Sequence, residues 1–257
     1  MSELVLFDVE DAVATITINR PEKRNAMDEP TRDAIREAFK EAEEREDVRA
    51  VVLRGAGSAF SAGGDLEFYS QLDMVEGLKY VQKYAEGLYT FVERISKPTI
   101  AAVDGYALGG GTEIATACDI RLASTDAKFG LTESRVGLYP TGGGGQRLIR
   151  IVGLGKAKEL VYTGDIIDAE EAERIGLANR IYEPEEFEEE VYAFAKKLAK
   201  HPPLALSLAK ESMHRGLNME AGLGIDRVAG GILFGTQDQK EGAQAFLEDR
   251  EPEFKGK

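Results

Sequence analysis

The chain has no tryptophan, a single cysteine, Cys118, and only two histidines, His201 and His214. One cysteine excludes an intrachain disulfide, and its apolar neighbours make a small buried side chain the default reading, which fits a reducing compartment. Neither histidine has a neighbouring cysteine or an acidic ligand set, so no metal site is expected. Positive charge is also scarce: 32 Lys and Arg against 46 Asp and Glu leave a net charge of −14. Without a dense Lys/Arg block to follow a phosphate backbone, nucleic acid is not an expected partner. No apolar run reaches the ~18 residues of a membrane span, and the N-terminus lacks a basic segment followed by an apolar stretch. A soluble, cytoplasmic protein that engages no membrane is therefore expected. There is no Gly-x-Ser-x-Gly elbow, and no Gly-Lys-Ser/Thr follows the run from Gly142 to Gly145, which removes nucleotide hydrolysis.

With 257 residues the chain is long enough for a substantial core. Residues 12–18 alternate and are β-branched, predicting a strand with one buried face that ends at Pro21. Asp28 with Pro30 marks a helix start, and Ala34, Ile35, Ala38, Phe39 and Ala42 form its apolar stripe. A buried strand at 50–53, a helical pattern from Met74 to Ile95, a strand at 99–103, a short helix from Gly110 to Cys118 and a strand at 120–123 follow. Strand and helix alternate through the first two thirds, the pattern of an α/β domain. From Pro184 onward only helical spacing is found: Phe187, Val191, Phe194, Ala195 and Leu198, then 204–215, a start near Asn218, and a capped start at Thr236.

Two glutamates lie beside glycine, in Gly109-Gly110-Gly111-Thr112-Glu113 and in Phe129-Gly130-Leu131-Thr132-Glu133. A glycine run after a strand and turn predicts a helix start whose free N–H groups face a ligand and can hold a developing oxyanion. Glycine lets another molecule approach the backbone closely, which suits its amide to such a donor role; shaping a turn is the competing role. Glu113 falls among Ile114, Ala115, Ala117 and Cys118, where a carboxyl group takes a partner or a raised pKa. One carboxyl holding a proton beside another able to take one from water is the equipment for adding water across an activated double bond. Arg20, Lys23 and Arg24 form the local basic cluster, to be read either as a solvated turn or as an anion contact.

Four segments together resemble the crotonase family, the enoyl-CoA hydratase/isomerase group: Ala59-Phe60-Ser61-Ala62-Gly63-Gly64-Asp65-Leu66, Lys97 through Glu113, Phe129 through Glu133, and Gly145-Gln146-Arg147-Leu148. The resemblance spans nearly the whole chain, and the order of the four segments is more specific than any one of them. It implies an α/β fold, a spiral of β-β-α repeats over residues 1–195 carrying the coenzyme A and catalytic sites. The helices of 196–257 would serve a homotrimer, or a hexamer of two trimers. It further implies hydration of an enoyl-CoA thioester to a 3-hydroxyacyl-CoA, as in fatty-acid β-oxidation. Water would add to one face of the alkene through an enolate held by the Gly64 and Gly110 amides. Glu113 would orient and deprotonate the water, and Glu133 would supply the proton to Cα. Coenzyme A is then part of the substrate, and no separate cofactor is expected.

By the same resemblance Ala62, Gly63, Asp65 and Leu66 lie along the adenine and pantetheine, Lys23 and Arg24 meet phosphate, and Ala26 lines the pantetheine arm. Tyr139, Pro140 and Thr141 are expected near the acyl group. Here the chain departs from the common hydratase pattern, which has glycine directly after the proline; Thr141 makes branched, cyclic or hydroxylated acyl groups as admissible as crotonyl. Double-bond isomerisation, dehydration of a hydroxyacyl-CoA, and a weakly catalytic binding subunit are the alternatives. The presence of both glutamates favours hydration.

Overall fold

The computed structural model describes residues 3–216 and 228–257, so the helix start expected near Asn218 lies outside the described residues. The alternating segment forms strand β2 (Val13–Ile18), the centre of one half of a six-stranded sheet ordered β1-β2-β3-β4-β6-β9. The other strands of this sheet are β1 (Val5–Glu10), β3 (Ala50–Gly55), β4 (Thr99–Val103), β6 (Ile120–Ser124) and β9 (Arg180–Tyr182). Within this sheet, among the described residues, only the β1·β2 pair is antiparallel; Leu53, for instance, sits between Ile16 and Ala101 in parallel register. The strand β1 was not among the expected elements.

A second sheet, β5-β7-β8, contains β5 (Tyr106–Leu108), β7 (Lys128–Gly130) and β8 (Ile167–Asp168). The chain visits both sheets in turn. After β3, Ala59 and Ser61 bridge to Gly105 and Ala107 of the small sheet's edge. After β4 comes β5 and then helix α5 (Gly110–Ala117); after β6 comes β7, then helices α6 (Gly144–Val152) and α7 (Leu154–Thr163). This repetition of strand, strand and helix is the spiral that the resemblance implied.

Apolar side chains cover both faces of the large sheet, which is why β3 reads as an unbroken apolar run. Val51 and Leu53 face one core together with Ile16 and Ile18, packed by helix α1 (Glu29–Glu44), while Ala50 and Val52 face the other. Phe187, Val191, Ala195 and Ala199 of helix α9 (Pro184–Ala199) close that second face, so α9 runs across the 195/196 line. Asp28 caps α1 by accepting from the Thr31 amide at 3.0 Å. The expected helix from Met74 is three pieces: α3 (Met74–Tyr84), a π-helical turn at Ala85–Thr90 and α4 (Phe91–Arg94). The π turn buries Leu88 and Tyr89, and such turns are frequent at functional sites.

Helix α10 (Pro203–Arg215) is fastened to the core by Lys210, whose Nζ lies 2.8 Å from Asp119 and 3.2 Å from the Lys97 carbonyl. Thr236 caps the last helix, Gln237–Leu247, by accepting from the Gln239 amide at 3.1 Å. Among the described residues, no helix is long and apolar enough to cross a membrane.

Candidate active site

Two chain segments that are distant in sequence meet edge to edge. The Ala62 amide donates to the Arg24 carbonyl at 2.8 Å, and the Met27 amide to the Gly63 carbonyl at 2.7 Å. The turn is held from inside by Asn25, wholly buried, whose amide nitrogen donates to Ala59 O at 2.6 Å and Ala56 O at 2.9 Å. Arg24 and Asn25 both take left-handed backbone conformations, φ 51° and 56°. Lys23 and Arg24 are exposed next to the Ala62–Gly64 loop, and Ala26 is half-buried. Arg20 does not belong with them. It is 8% exposed, paired with Asp28 at 3.0 Å and bonded to the Ala26 carbonyl at 2.6 Å, and is therefore a buried brace of the turn.

The loop then crosses the glycine run. Ser61 N donates to Tyr106 O, and Leu108 N to Ser61 O, each at 2.9 Å. Gly63 has φ +98°, and a Cβ there would stand 2.6 Å from Leu108 O and 3.3 Å from the Gly110 amide nitrogen. A Cβ on Gly111 would collide with the Ser61 carbonyl. Glycine is required by this backbone-to-backbone approach, which brings the Ser61–Gly63 stretch against the glycine run and its Gly110 amide. Gly109, at φ +51°, turns the chain into α5, and so the Gly110 amide falls at a helix N-terminus.

Glu113 lies one turn into α5 and is 5% exposed. Its Oε1 accepts from the amides of Gly142 at 2.7 Å and Gly144 at 3.1 Å. Burial pushes its pKa up, opposed by the Gly144 and Gly142 amides and by the charges of Arg32 and Arg147. Glu133 sits in a 3-10 turn, Thr132–Val136, and a Cβ on Gly109 would come within 3.3 Å of its Oε1. Both of its carboxyl oxygens are buried without a hydrogen-bond partner among the described residues. Burial first, and the charge of Glu113 second, push its pKa up to about 7. One acid is thus held as an acceptor by two amides, while the other, its pKa raised to about 7, has no hydrogen-bond partner among the described residues.

Pro140 is buried, Thr141 half-buried and Tyr139 69% exposed, in the loop that leads to Gly142. Asp65 and Leu66 lie where the Ala62–Gly64 loop enters helix α2 (Leu66–Tyr69); Leu66 is 55% exposed. Several residues of the site went unexpected. The run from Gly142 to Gly145 carries no phosphate-loop motif, yet the Gly142 and Gly144 amides anchor Glu113. A Cβ on Gly142 would lie 2.5 Å from the Tyr89 ring and 2.8 Å from Glu113 Oε2. Arg32 and Tyr89 gave no local signal, since one lies on an amphipathic helix and the other within a helical pattern.

A spiral α/β scaffold that lays the Ala62–Gly64 loop against the glycine run, with Glu113 buried in the helix that follows and the buried Glu133 carboxyl against Gly109, is an arrangement that suits enolate chemistry. The model of the enoyl-CoA hydratase/isomerase family matches residues 8–257, and the chain belongs to that family, with the crotonase fold. It is 40% identical to the short-chain-enoyl-CoA hydratase of Clostridium acetobutylicum over 252 residues, 97% of this chain and 96% of that protein. It is 39% identical to the crotonyl-CoA hydratase of Syntrophomonas wolfei over 255 residues, 98% of each chain. A crystal structure of an enoyl-CoA hydratase from Bacillus anthracis superposes with a TM-score of 0.94 at 36% identity, covering 99% of this chain and all of that one.

Proposed function

We propose that the protein is an enoyl-CoA hydratase that adds water across the α,β double bond of an enoyl-CoA thioester to give the 3-hydroxyacyl-CoA. The observation that carries this reading is the unequal pair of buried acids beside the glycine amides. Glu113 is oriented by Gly142 and Gly144, and Glu133 holds its proton to about pH 7.

The amides of Gly64 and Gly110 accept the thioester oxygen, so that attack at Cβ generates an enolate rather than a free carbanion. Glu113 takes the proton of the attacking water, and Glu133 delivers a proton to Cα on the same face. The backbone approach of Ala62 and Gly63 to the Lys23–Met27 turn supports a coenzyme A groove there. Ala62, Gly63, Asp65 and Leu66 lie along adenine and pantetheine, Ala26 beside the pantetheine arm, and Lys23 and Arg24 near phosphate. Tyr139, Pro140 and Thr141 border the acyl group. Coenzyme A is the substrate's handle, and the reaction is of the type used in fatty-acid β-oxidation.

Residues 1–195 carry this site, and 196–257 assemble the chain as a trimer or a dimer of trimers in the cytoplasm. Support for the assembly comes from the exposure of Phe246 at 85% and Leu247 at 83% on the last helix. The reading is tested by following the ultraviolet absorbance of the conjugated thioester in crotonyl-CoA, then in branched and cyclic enoyl-CoAs. Decay with formation of the 3-hydroxyacyl product is expected, and absorbance unchanged across the panel would overturn the reading.

A further inference from the structure

Arg32 of α1 is 2% exposed, and its charge forms no ion pair among the described residues. Its Nε donates to the Met27 carbonyl at 3.2 Å, one terminal nitrogen to the Tyr89 hydroxyl, and the other to the Tyr69 hydroxyl at 2.9 Å. All three acceptors are neutral, and a guanidinium has five N–H groups, so three bonds leave it incompletely used. The Tyr84, Tyr89 and Tyr80 rings lie 5.4, 5.5 and 5.6 Å from its central carbon, and Tyr69 and Tyr80 share a hydrogen bond of 3.2 Å. A buried cation is costly unless an anion meets it.

The two phenols that Arg32 holds are the ones that touch the oxyanion glycines. A Cβ on Gly110 would lie 3.0 Å from the Tyr89 hydroxyl and 3.2 Å from Arg32 Nη2. A Cβ on Gly64 would collide with the Tyr69 hydroxyl. Tyr89 also packs on Gly142, whose amide holds Glu113. Other groups that act on Glu113 are Arg147, Glu133, Tyr89 and the Gly142 and Gly144 amides. Arg147 differs from Arg32 in already being neutralised, by Glu93 at 2.8 Å.

We propose that Arg32 is a positioning residue for the hydration reaction: through Tyr89 and Tyr69 it fixes Gly110 and Gly64, and its unpaired charge favours the negative charge that develops on the thioester oxygen and on Glu113. This rests on the hydratase reading, because an enolate is the anion it serves. Lysine can restore the charge but cannot bridge two phenols in a fixed fork.

The test compares wild type with Arg32→Met, Arg32→Lys and the Tyr69→Phe/Tyr89→Phe pair. Two readouts are used: the pH profile of crotonyl-CoA hydration, and the ultraviolet enolate band of bound acetoacetyl-CoA. Arg32→Met is expected to lower kcat on the order of 100-fold, the scale of losing one oxyanion donor, with KM changed little. The acid limb of its kcat/KM profile should move to higher pH, since Glu113 then ionises less readily, and the enolate band should fall. Arg32→Lys should return the limb toward wild type without restoring kcat. The phenylalanine pair should keep the limb and lose kcat, and it carries the test should Arg32→Met not fold. A folded Arg32→Met with an unmoved acid limb and an unchanged enolate band would overturn the proposal, as would a phenylalanine pair and Arg32→Lys both with wild-type kcat. A wild type that forms the enolate band yet hydrates no enoyl-CoA would refute the hydratase reading instead, and the enolate comparison between wild type and Arg32→Met would still decide the role of Arg32.

Discussion

Gly142 and Glu113, 29 residues apart, are joined by a 2.7 Å hydrogen bond from backbone amide to carboxyl oxygen. The bond requires the absence of a side chain, because a Cβ on Gly142 would press on both the Tyr89 ring and Glu113 Oε2. Gly142→Ala is expected to displace the carboxyl group, to cost about 1–3 kcal/mol of stability through overpacking, and to lower kcat at least tenfold, about 1.4 kcal/mol of barrier. Denaturant melts and steady-state kinetics on the same preparation check both, and a variant with wild-type kcat would remove Gly142 from the site.

Glu113→Gln and Glu133→Gln are each expected to reduce kcat by about 10²-fold or more, with acyl-CoA binding retained in a fluorescence or calorimetric titration. They part company in stability. Glu133 keeps its proton to about pH 7 in the fold, against an ordinary value of 4.5. Between those values the folded state binds more protons than the unfolded chain, so its stability falls as pH rises through that window and stays lower above it. Glu133→Gln should therefore be more stable than wild type at about pH 8, by about 1–3 kcal/mol, and no more stable at about pH 4. A constant difference at the two pH values would contradict the burial of that carboxyl group.

The same value sets the pH profile. With Glu133 as the proton donor, kcat/KM is expected to decline on the alkaline side from about pH 7. The two limbs belong to the coupled pair rather than to either residue. In Glu133→Gln the alkaline limb should be absent from whatever activity remains.

Lys23 and Arg24 are exposed beside the Ala62–Gly64 loop. Replacing both with Ala is expected to raise KM for crotonyl-CoA about fivefold to tenfold at low salt, with kcat held within about twofold and the effect shrinking as salt is added. An unchanged KM would assign the pair to the solvated turn.

Lys210→Met tests how the helical tail is held. Despite burial, which acts the other way, the nearby His214 ring, with Nε2 3.9 Å from Asp119 Oδ1, and the charge and 2.8 Å hydrogen bond of Lys210 hold the Asp119 carboxyl below its ordinary 3.8. A depressed carboxyl contributes stability above that value and loses it as pH falls. The variant should lose about 3 kcal/mol near neutral pH, as for a broken buried pair, and the gap should narrow below about pH 4. Urea titrations at both pH values measure it.

Much of the architecture was legible locally. Asp28 caps its helix where Asp and Pro predicted a start, β3 reads as apolar because both of its faces are covered, and Cys118 is buried. The edge strand Val5–Glu10 carries little local signal, with only one fully buried position. The π turn at Ala85–Thr90 was invisible because an inserted residue alters phase and leaves the apolar pattern helical.

By itself the sequence determined the strand and helix alternation, the two acids and the glycines that admit close backbone approach, since periodicity and backbone freedom are properties of neighbouring residues. Tertiary structure decided which charges are spent and which are not. It buried Arg20 against Asp28 while leaving Lys23 exposed, matched Arg147 with Glu93 while leaving Arg32 among phenols, and aimed the Gly142 and Gly144 amides at Glu113. Those outcomes depend on how two sheets and their helices stack, which brings together residues far apart along the chain, and no local pattern encodes that.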